Sequence, residues 1–80
     1  MPTVFDLFGI RAFIIPGDHE PIHVHIESEG GFAKIQVYPE VKIIKSEGIK
    51  TAKIKKILAL VSNFSEEIVE VWNKYNSYNC

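Results

Sequence analysis

The three histidines of this chain lie close together in the sequence. His19, His23 and His25 all fall within the segment HEPIHVH at residues 19–25. Imidazole titrates near neutral pH and is a common ligand of divalent transition metals. His23 and His25 are two positions apart, so on a β-strand their side chains point the same way, with Cβ atoms roughly 6.5–7 Å apart. Both imidazoles can then reach one ion. The segment therefore predicts a metal site or a pair of groups for acid–base catalysis.

His19 precedes that strand, and Pro21 turns the chain between them. His19 is therefore a third candidate nitrogen ligand. The candidates for an oxygen ligand are Asp18, Glu20, Glu27 and Glu29. Three protein ligands with one open position are typical of a catalytic metal site, because water can be activated there. Two alternatives remain open: acid–base chemistry without a metal, and histidines that are simply hydrogen-bonded on a solvated strand.

Cationic side chains accompany the histidines. Lys34 is expected beside them on the next strand and Arg11 on the strand before, and either could stabilise phosphate charge. A lysine block occupies fifteen residues, with Glu47 as the only opposing charge: Lys42, Lys45, Lys50, Lys53, Lys55 and Lys56. Lys50, Lys53 and Lys56 lie along one helical face, which can bind a phosphate backbone or an acidic partner. An ordinary solvated face is the alternative.

The strands that must position these groups are predicted from hydrophobic alternation. Residues 22–28 and 32–39 alternate, with a glycine turn at 29–31 between them. A β-branched and aromatic run at 9–18, ended by a turn, predicts a further strand, and 41–45 is a shorter strand candidate. The side predicted to be covered carries Val24, Ile26, Ile35 and Val37. The open side is predicted to carry His23, His25, Glu27, Lys34 and Gln36.

Helical spacing begins at Ile49. Residues 49–76 predict two helices with a break at 62–65, where Asn63 and Ser65 are suitable N-caps. The expected inward stripes are Ile54, Ile57, Leu58 and Val61, then Ile68, Val71, Trp72 and Tyr75. Trp72 is expected to anchor the core. The order of elements predicts an α+β domain of two layers: a three- to four-stranded, mainly antiparallel sheet with two C-terminal helices on one face.

Composition bounds the class of protein. Eighty residues with 46% hydrophobic residues can close one core, so residues 1–80 are expected to form a single domain. The net charge of −1 predicts no general affinity for nucleic acid. Cys80 is the only cysteine, which rules out an intrachain disulfide and indicates a cytoplasmic protein. The longest uncharged apolar run, at 57–61, is far shorter than the roughly 20 residues that span a bilayer.

The segments MPTVFDLFGI, DHEPIHVH and GGFAKI, with a C-terminal helical region containing a tryptophan, resemble a family of small, mostly bacterial proteins called domain of unknown function four-one-six-zero. The typical core of that family is His-x-Pro-Pro-His-x-His, and Ile22 replaces its second proline here. The matching positions are His19, Pro21, His23, His25, Gly31 and Trp72. The resemblance implies that the histidines matter. It also implies a toxin–antitoxin-like pairing, because family members are often encoded beside a second small domain.

Two functional hypotheses follow. The first is a small binding module, one component of a toxin–antitoxin-like pair, that engages a cognate protein or RNA through the open sheet face and Lys50, Lys53 and Lys56. The second is a ribonuclease-like hydrolase. In that hypothesis His23 and His25 act as acid and base, or with His19 as ligands of a divalent transition metal, while Lys34 or Arg11 stabilises phosphate charge.

Overall fold

A computed structural model of the chain describes residues 2–76, and Cys80 lies outside them. Five strands precede two helices: β1 (Thr3–Leu7), β2 (Ile10–Phe13), β3 (His23–Ser28), β4 (Gly31–Gln36), β5 (Lys42–Glu47), α1 (Thr51–Asn63) and α2 (Ser65–Asn76). The strands pair antiparallel in chain order. The predicted α+β class, with two helices following an antiparallel sheet, is confirmed.

The sheet has five strands, one more than the highest number predicted. The predicted strand at 9–18 is shorter, as β2, and β1 precedes it. The turn between them consists of Phe8 and Gly9, with φ angles of 55° and 73°, the backbone of a tight two-residue hairpin turn. Phe8 is apolar and lies in an apolar run, so composition does not mark the turn.

The turn between β3 and β4 was predicted. Glu29 and Gly30 occupy it with φ angles of 52° and 81°. Gly31 then begins β4 beside the end of β5, where an added Cβ would lie 2.5 Å from the carbonyl oxygen of Gly48. A side chain at Gly31 would thus push the end of β5 away from the sheet.

The core lies between the sheet and the helices. The predicted covered side is confirmed, because Val24, Ile26, Ile35 and Val37 are all buried. The helices bury Ile57, Val61, Ile68 and Trp72 against it. Trp72 is 4% exposed, as expected of a core anchor. The prediction for Tyr75 was wrong: its side chain is 43% exposed, and the neighbouring Asn76 is buried instead.

The predicted break between the helices is confirmed at Phe64. Its φ of −102° and ψ of 15° end α1, while the N–H of Ile68 donates to its carbonyl oxygen at 2.9 Å. The Phe64 ring packs on Phe5 of β1 with 4.9 Å between centroids. This aromatic contact holds the helix junction against the sheet. In residues 2–76 no helix combines the length and the apolar character needed to cross a membrane.

Candidate metal site at the start of β3

Three side chains converge where the β2–β3 connection meets β3. One oxygen of Asp18, Oδ2, lies 3.0 Å from Nε2 of His23 and 2.9 Å from Nε2 of His25. The candidate ligand atoms of the three residues all lie within 4.8 Å of one another. The two imidazole rings meet edge to face, with 5.0 Å between centroids. We call Asp18, His23 and His25 the histidine cluster.

A tight turn presents Asp18 to the rings. The N–H of Asp18 donates to the carbonyl oxygen of Ile15 at 3.2 Å. Pro16 and Gly17 occupy the central positions, and Gly17 has a φ of 87°, which together define a type II turn. The N–H of Gly17 also donates to Oδ1 of the buried Asn76. The end of α2 therefore holds the turn that carries Asp18.

His23 is oriented by its other ring nitrogen. Its Nδ1 lies 2.7 Å from the carbonyl oxygen of Pro21. A carbonyl only accepts hydrogen bonds, so Nδ1 carries a proton and donates it. The ring also packs on Trp72 of α2, with 5.1 Å between centroids. Nε2 is thereby aimed at Asp18, and it faces that carboxylate either as an imidazolium N–H or as a free lone pair.

His23 was predicted to stand on an open face, but it is only 5% exposed. The β2–β3 connection folds back over it, as the contacts from Asp18 and Pro21 show. Gln36 was predicted to be open too and is buried, with its Nε2 donating to the carbonyl oxygen of Glu40 in the next connection. Strand alternation correctly placed His23 and Gln36 on the side of the sheet opposite the helices. It did not predict the connections that bury them.

His25 is half-buried and supported from β2. Its ring stacks on Phe13 with 5.5 Å between centroids, and the Arg11 guanidinium lies 4.6 Å from the centre of the Phe13 ring. Arg11 itself is paired with Glu27 at 2.8 Å. The structure thus holds Arg11 farther along the open face, where its charge is already compensated.

The electrostatics of the cluster favour an ionised Asp18. Partial burial acts to raise the pKa of Asp18, but the hydrogen bond from His25, the charge and hydrogen bond of His23 and the charge of His25 outweigh it. The pKa of Asp18 is consequently lowered from its ordinary value of 3.8. The group facing the two imidazoles is therefore a carboxylate, the form that binds a cation.

A cavity of about 300 Å³ opens beside the cluster. Its lining consists of Asp18, His19, Glu20, Pro21, His23, Lys34 and Ile44. The predicted site residues His19 and Lys34 thus line the same cavity as Asp18 and His23. His19 is exposed and is not one of the three residues whose ligand atoms converge. Asp18 occupies the third place, because the type II turn directs the residue before His19 onto the rings.

The lysines of α1 lie elsewhere. Lys50 is exposed at the start of the helix. Nζ of Lys53 donates to the carbonyl oxygen of Phe8 at 3.3 Å and lies 3.5 Å from Oε2 of Glu29. Lys56 lies over the Phe8 ring at 5.3 Å. Lys53 and Lys56 thus cover the tips of the two hairpins rather than the histidine cluster.

Asp18 was one of four candidate oxygen ligands in the sequence. The signal that distinguishes it is Pro-Gly-Asp immediately before the first histidine. A Pro-Gly pair favours a type II turn, in which the following residue is directed back along the chain. Glu27 and Glu29 are instead paired with Arg11 and Lys53.

A sequence model of the family described as Domain of unknown function (DUF4160) matches residues 9–73. The match covers most of the chain, so the chain belongs to this family. The matched region contains the whole histidine cluster and Trp72. No curated protein and no solved structure matches the chain.

Proposed function

We propose that this chain binds a divalent transition-metal ion through Asp18, His23 and His25 and acts as a metal-dependent, ribonuclease-like hydrolase. The observation that carries the proposal is the convergence of two imidazole nitrogens and one carboxylate oxygen within 4.8 Å. Two histidines and one carboxylate are a donor set that suits zinc and iron and leaves coordination positions open. In this chain Asp18 and His23 line a cavity of about 300 Å³.

The hydrogen bond at the far side of His23 supports this proposal. Histidines that bind metals commonly donate their other ring N–H to a backbone carbonyl, which fixes the ring and its tautomer. His23 makes this contact with Pro21 at 2.7 Å. In the neutral ring, Nε2 then has a lone pair that faces a carboxylate, and a shared cation removes this repulsion.

The surrounding residues have separate roles in hydrolysis. An ion held by Asp18, His23 and His25 would supply a Lewis acid for the hydrolysis of an RNA phosphodiester. The water oxygen forms a bond to phosphorus, the bond from phosphorus to the leaving oxygen breaks, and one water proton passes to solvent. His19 gives its proton to the leaving oxygen and regains one from solvent, while Lys34 stabilises the negative charge that develops on the phosphoryl oxygens.

Calorimetric titration with Zn²⁺, Co²⁺, Ni²⁺ and Mn²⁺ tests the metal site. We expect one ion per chain for wild type, and loss of binding in His25→Ala, whose side chain is only half-buried and can be removed with little damage to the core. His19→Ala is the matched control and should bind the ion as wild type does. Equal binding by wild type and His25→Ala, or no binding by wild type, would contradict the proposal.

Cleavage of a structured RNA, measured with and without a chelator, tests the chemistry. We expect cleavage by wild type only with the metal, and none by the His23→Ala/His25→Ala double variant. Cleavage that persists in chelator and still requires both histidines would favour metal-free acid–base catalysis. Cleavage that the double variant retains would exclude the cluster as the active site.

We also propose that the chain is one component of a toxin–antitoxin-like pair in the cytoplasm and binds a small cognate protein or RNA. Exposed cations at Lys50 and along β5 support this proposal. The charge-reversed variant Lys50→Glu/Lys53→Glu/Lys56→Glu should no longer capture the product of the neighbouring reading frame, with little change in thermal stability. Capture that survives charge reversal would mean that the α1 lysines are only solvated surface.

A further inference from the structure

A row of side chains runs across the open face of the sheet from β2 to β5. The register pairs Phe13 with His25, His25 with Lys34, and Lys34 with Lys45. Directly opposed residues on neighbouring strands lie on the same face, so this row ends in two adjacent lysines. Like charges placed opposite each other destabilise a sheet. An anion bound across Lys34 and Lys45 would relieve that repulsion.

The charges of this row are poorly compensated within the protein. In the part of the chain that the structure describes, Lys34 has no carboxylate within ion-pair distance. Lys45 approaches Glu47 at 3.6 Å, with side chains 58% and 59% exposed, and such pairs contribute little. The other carboxylate groups near Lys34 are Asp18, which the two histidines engage, and Glu20 across the cavity.

The two lysines of this row, Lys34 and Lys45, lie on the side of His25 toward β5, and Lys34 is next to the histidine cluster. Lys34 lines the cavity of about 300 Å³ together with Asp18 and His23. Lys45 lies one strand farther out, on β5, whose six residues are all exposed. An anionic chain that contacts both lysines would thus extend from the sheet edge to the cluster.

An exposed aromatic ring flanks the row. Phe32 is two residues from Lys34 on β4 and therefore on the same face. Its side chain is 45% exposed, and Nζ of Lys45 lies 5.7 Å from the centre of its ring. Unpaired bases stack on such rings while neighbouring cations contact the phosphates. An acidic peptide would use the lysines but would gain little from Phe32.

We propose that the open face of β3, β4 and β5 binds single-stranded nucleic acid. Phosphates contact Lys34 and Lys45, a base stacks on Phe32, and the strand places a phosphodiester beside Asp18, His23 and His25. This inference rests on the proposed hydrolytic function, since it names the substrate class of the same site.

Fluorescence anisotropy with a labelled single-stranded RNA of about 12 nucleotides, measured in chelator over a series of salt concentrations, tests the binding. For Lys34→Gln/Lys45→Gln we expect weaker binding. The slope of the logarithm of the binding constant against the logarithm of the salt concentration should become shallower by about 0.7 for each lysine lost. Phe32→Leu should weaken binding at least about fivefold through lost stacking. The matched control is Lys55→Gln/Lys74→Gln, which removes two exposed charges from the helices and should bind as wild type does.

Each other outcome overturns the inference. Equal losses in both double variants would show general electrostatics rather than a defined row. RNA binding unchanged in Lys34→Gln/Lys45→Gln, or no binding by wild type, would exclude the surface. A protein that binds poly-glutamate but does not bind RNA would indicate an acidic protein partner. Because the assay contains chelator, a failure of metal binding leaves its result intact. A protein that binds one ion in the calorimetric titration but binds no RNA in this assay overturns this inference and leaves the metal site standing.

Discussion

The histidine cluster and the lysine face formed by Lys50, Lys53 and Lys56 are both groups of polar residues close in sequence, but the structure organises only the first. Asp18, His23 and His25 are held by contacts from the β2–β3 turn, from β2 and from α2. Along α1, Lys50 is exposed, and Lys53 and Lys56 only cover the hairpin tips. Side chains that are close in sequence therefore converge in the structure only where other elements fix them.

Side-chain chemistry accounts for this contrast. Ordering a lysine costs up to about 2 kcal/mol of conformational entropy, because its stem has four rotatable bonds. Histidine and aspartate have two side-chain torsions each, so packing against Phe13 and Trp72 fixes the rings at lower cost. The side chains of the cluster are thus held in one arrangement, whereas those of the lysine face can change conformation. The predictions below test this difference, beginning with the largest effect.

Trp72→Ala should have the largest effect, because it removes a core side chain and the surface on which His23 packs. We expect the free energy of unfolding to fall by about 3–5 kcal/mol, as measured by denaturant titration. Metal affinity should fall too, since the His23 ring loses its support. Trp72→Phe keeps an aromatic surface and should retain most of both. A metal affinity unchanged in Trp72→Ala would mean that α2 does not position His23.

Asp18→Asn should have the next largest effect. Loss of the charged acceptor shared by His23 and His25 should lower the free energy of unfolding of the metal-free protein by about 1.5–3 kcal/mol at about pH 6. Glu20→Gln alters an exposed neighbouring carboxylate and is the matched control. Equal effects of the two substitutions would show that the cluster has no special organisation.

The sequence predicted most of the sheet and both helices, since two-residue and helical periodicities directly reflect which side is buried. It did not predict β1, because of the two turn residues before β2 only Gly9 is typical of a turn, whereas Phe8 is apolar. It named His19, His23 and His25 as candidate nitrogen ligands and Asp18 as one of four candidate oxygen ligands, whereas the structure places Asp18 against the rings of His23 and His25. That position depends on the type II turn and on its hydrogen bond to Asn76, a residue 59 positions away from Gly17. Tertiary contacts of this kind leave no local pattern in a sequence.

The stability that Asp18 contributes should depend on pH in a definite direction. Its pKa is lowered in the native protein, so folding favours the ionised form. The contribution is fully present above the ordinary aspartate pKa of about 3.8 and is lost as the pH falls through the lower native pKa. In metal-free protein, the difference in unfolding free energy between wild type and Asp18→Asn should therefore shrink as the pH falls below about 4. A difference that grew on acidification would contradict this assignment.

Lys53→Met should have the smallest effect, although Lys53 makes the closest contacts of the three α1 lysines. Its side chain is 22% exposed and its partner Glu29 is 57% exposed, so water screens their attraction and the pair should contribute at most about 1 kcal/mol. Methionine keeps an apolar side chain of similar length, so the substitution removes the charge without removing the packing of the stem. A double-mutant cycle with Glu29→Gln measures the pair itself. A coupling energy above about 2 kcal/mol would show that the lysine face is as firmly organised as the histidine cluster, because only a desolvated, well-fixed pair reaches that value.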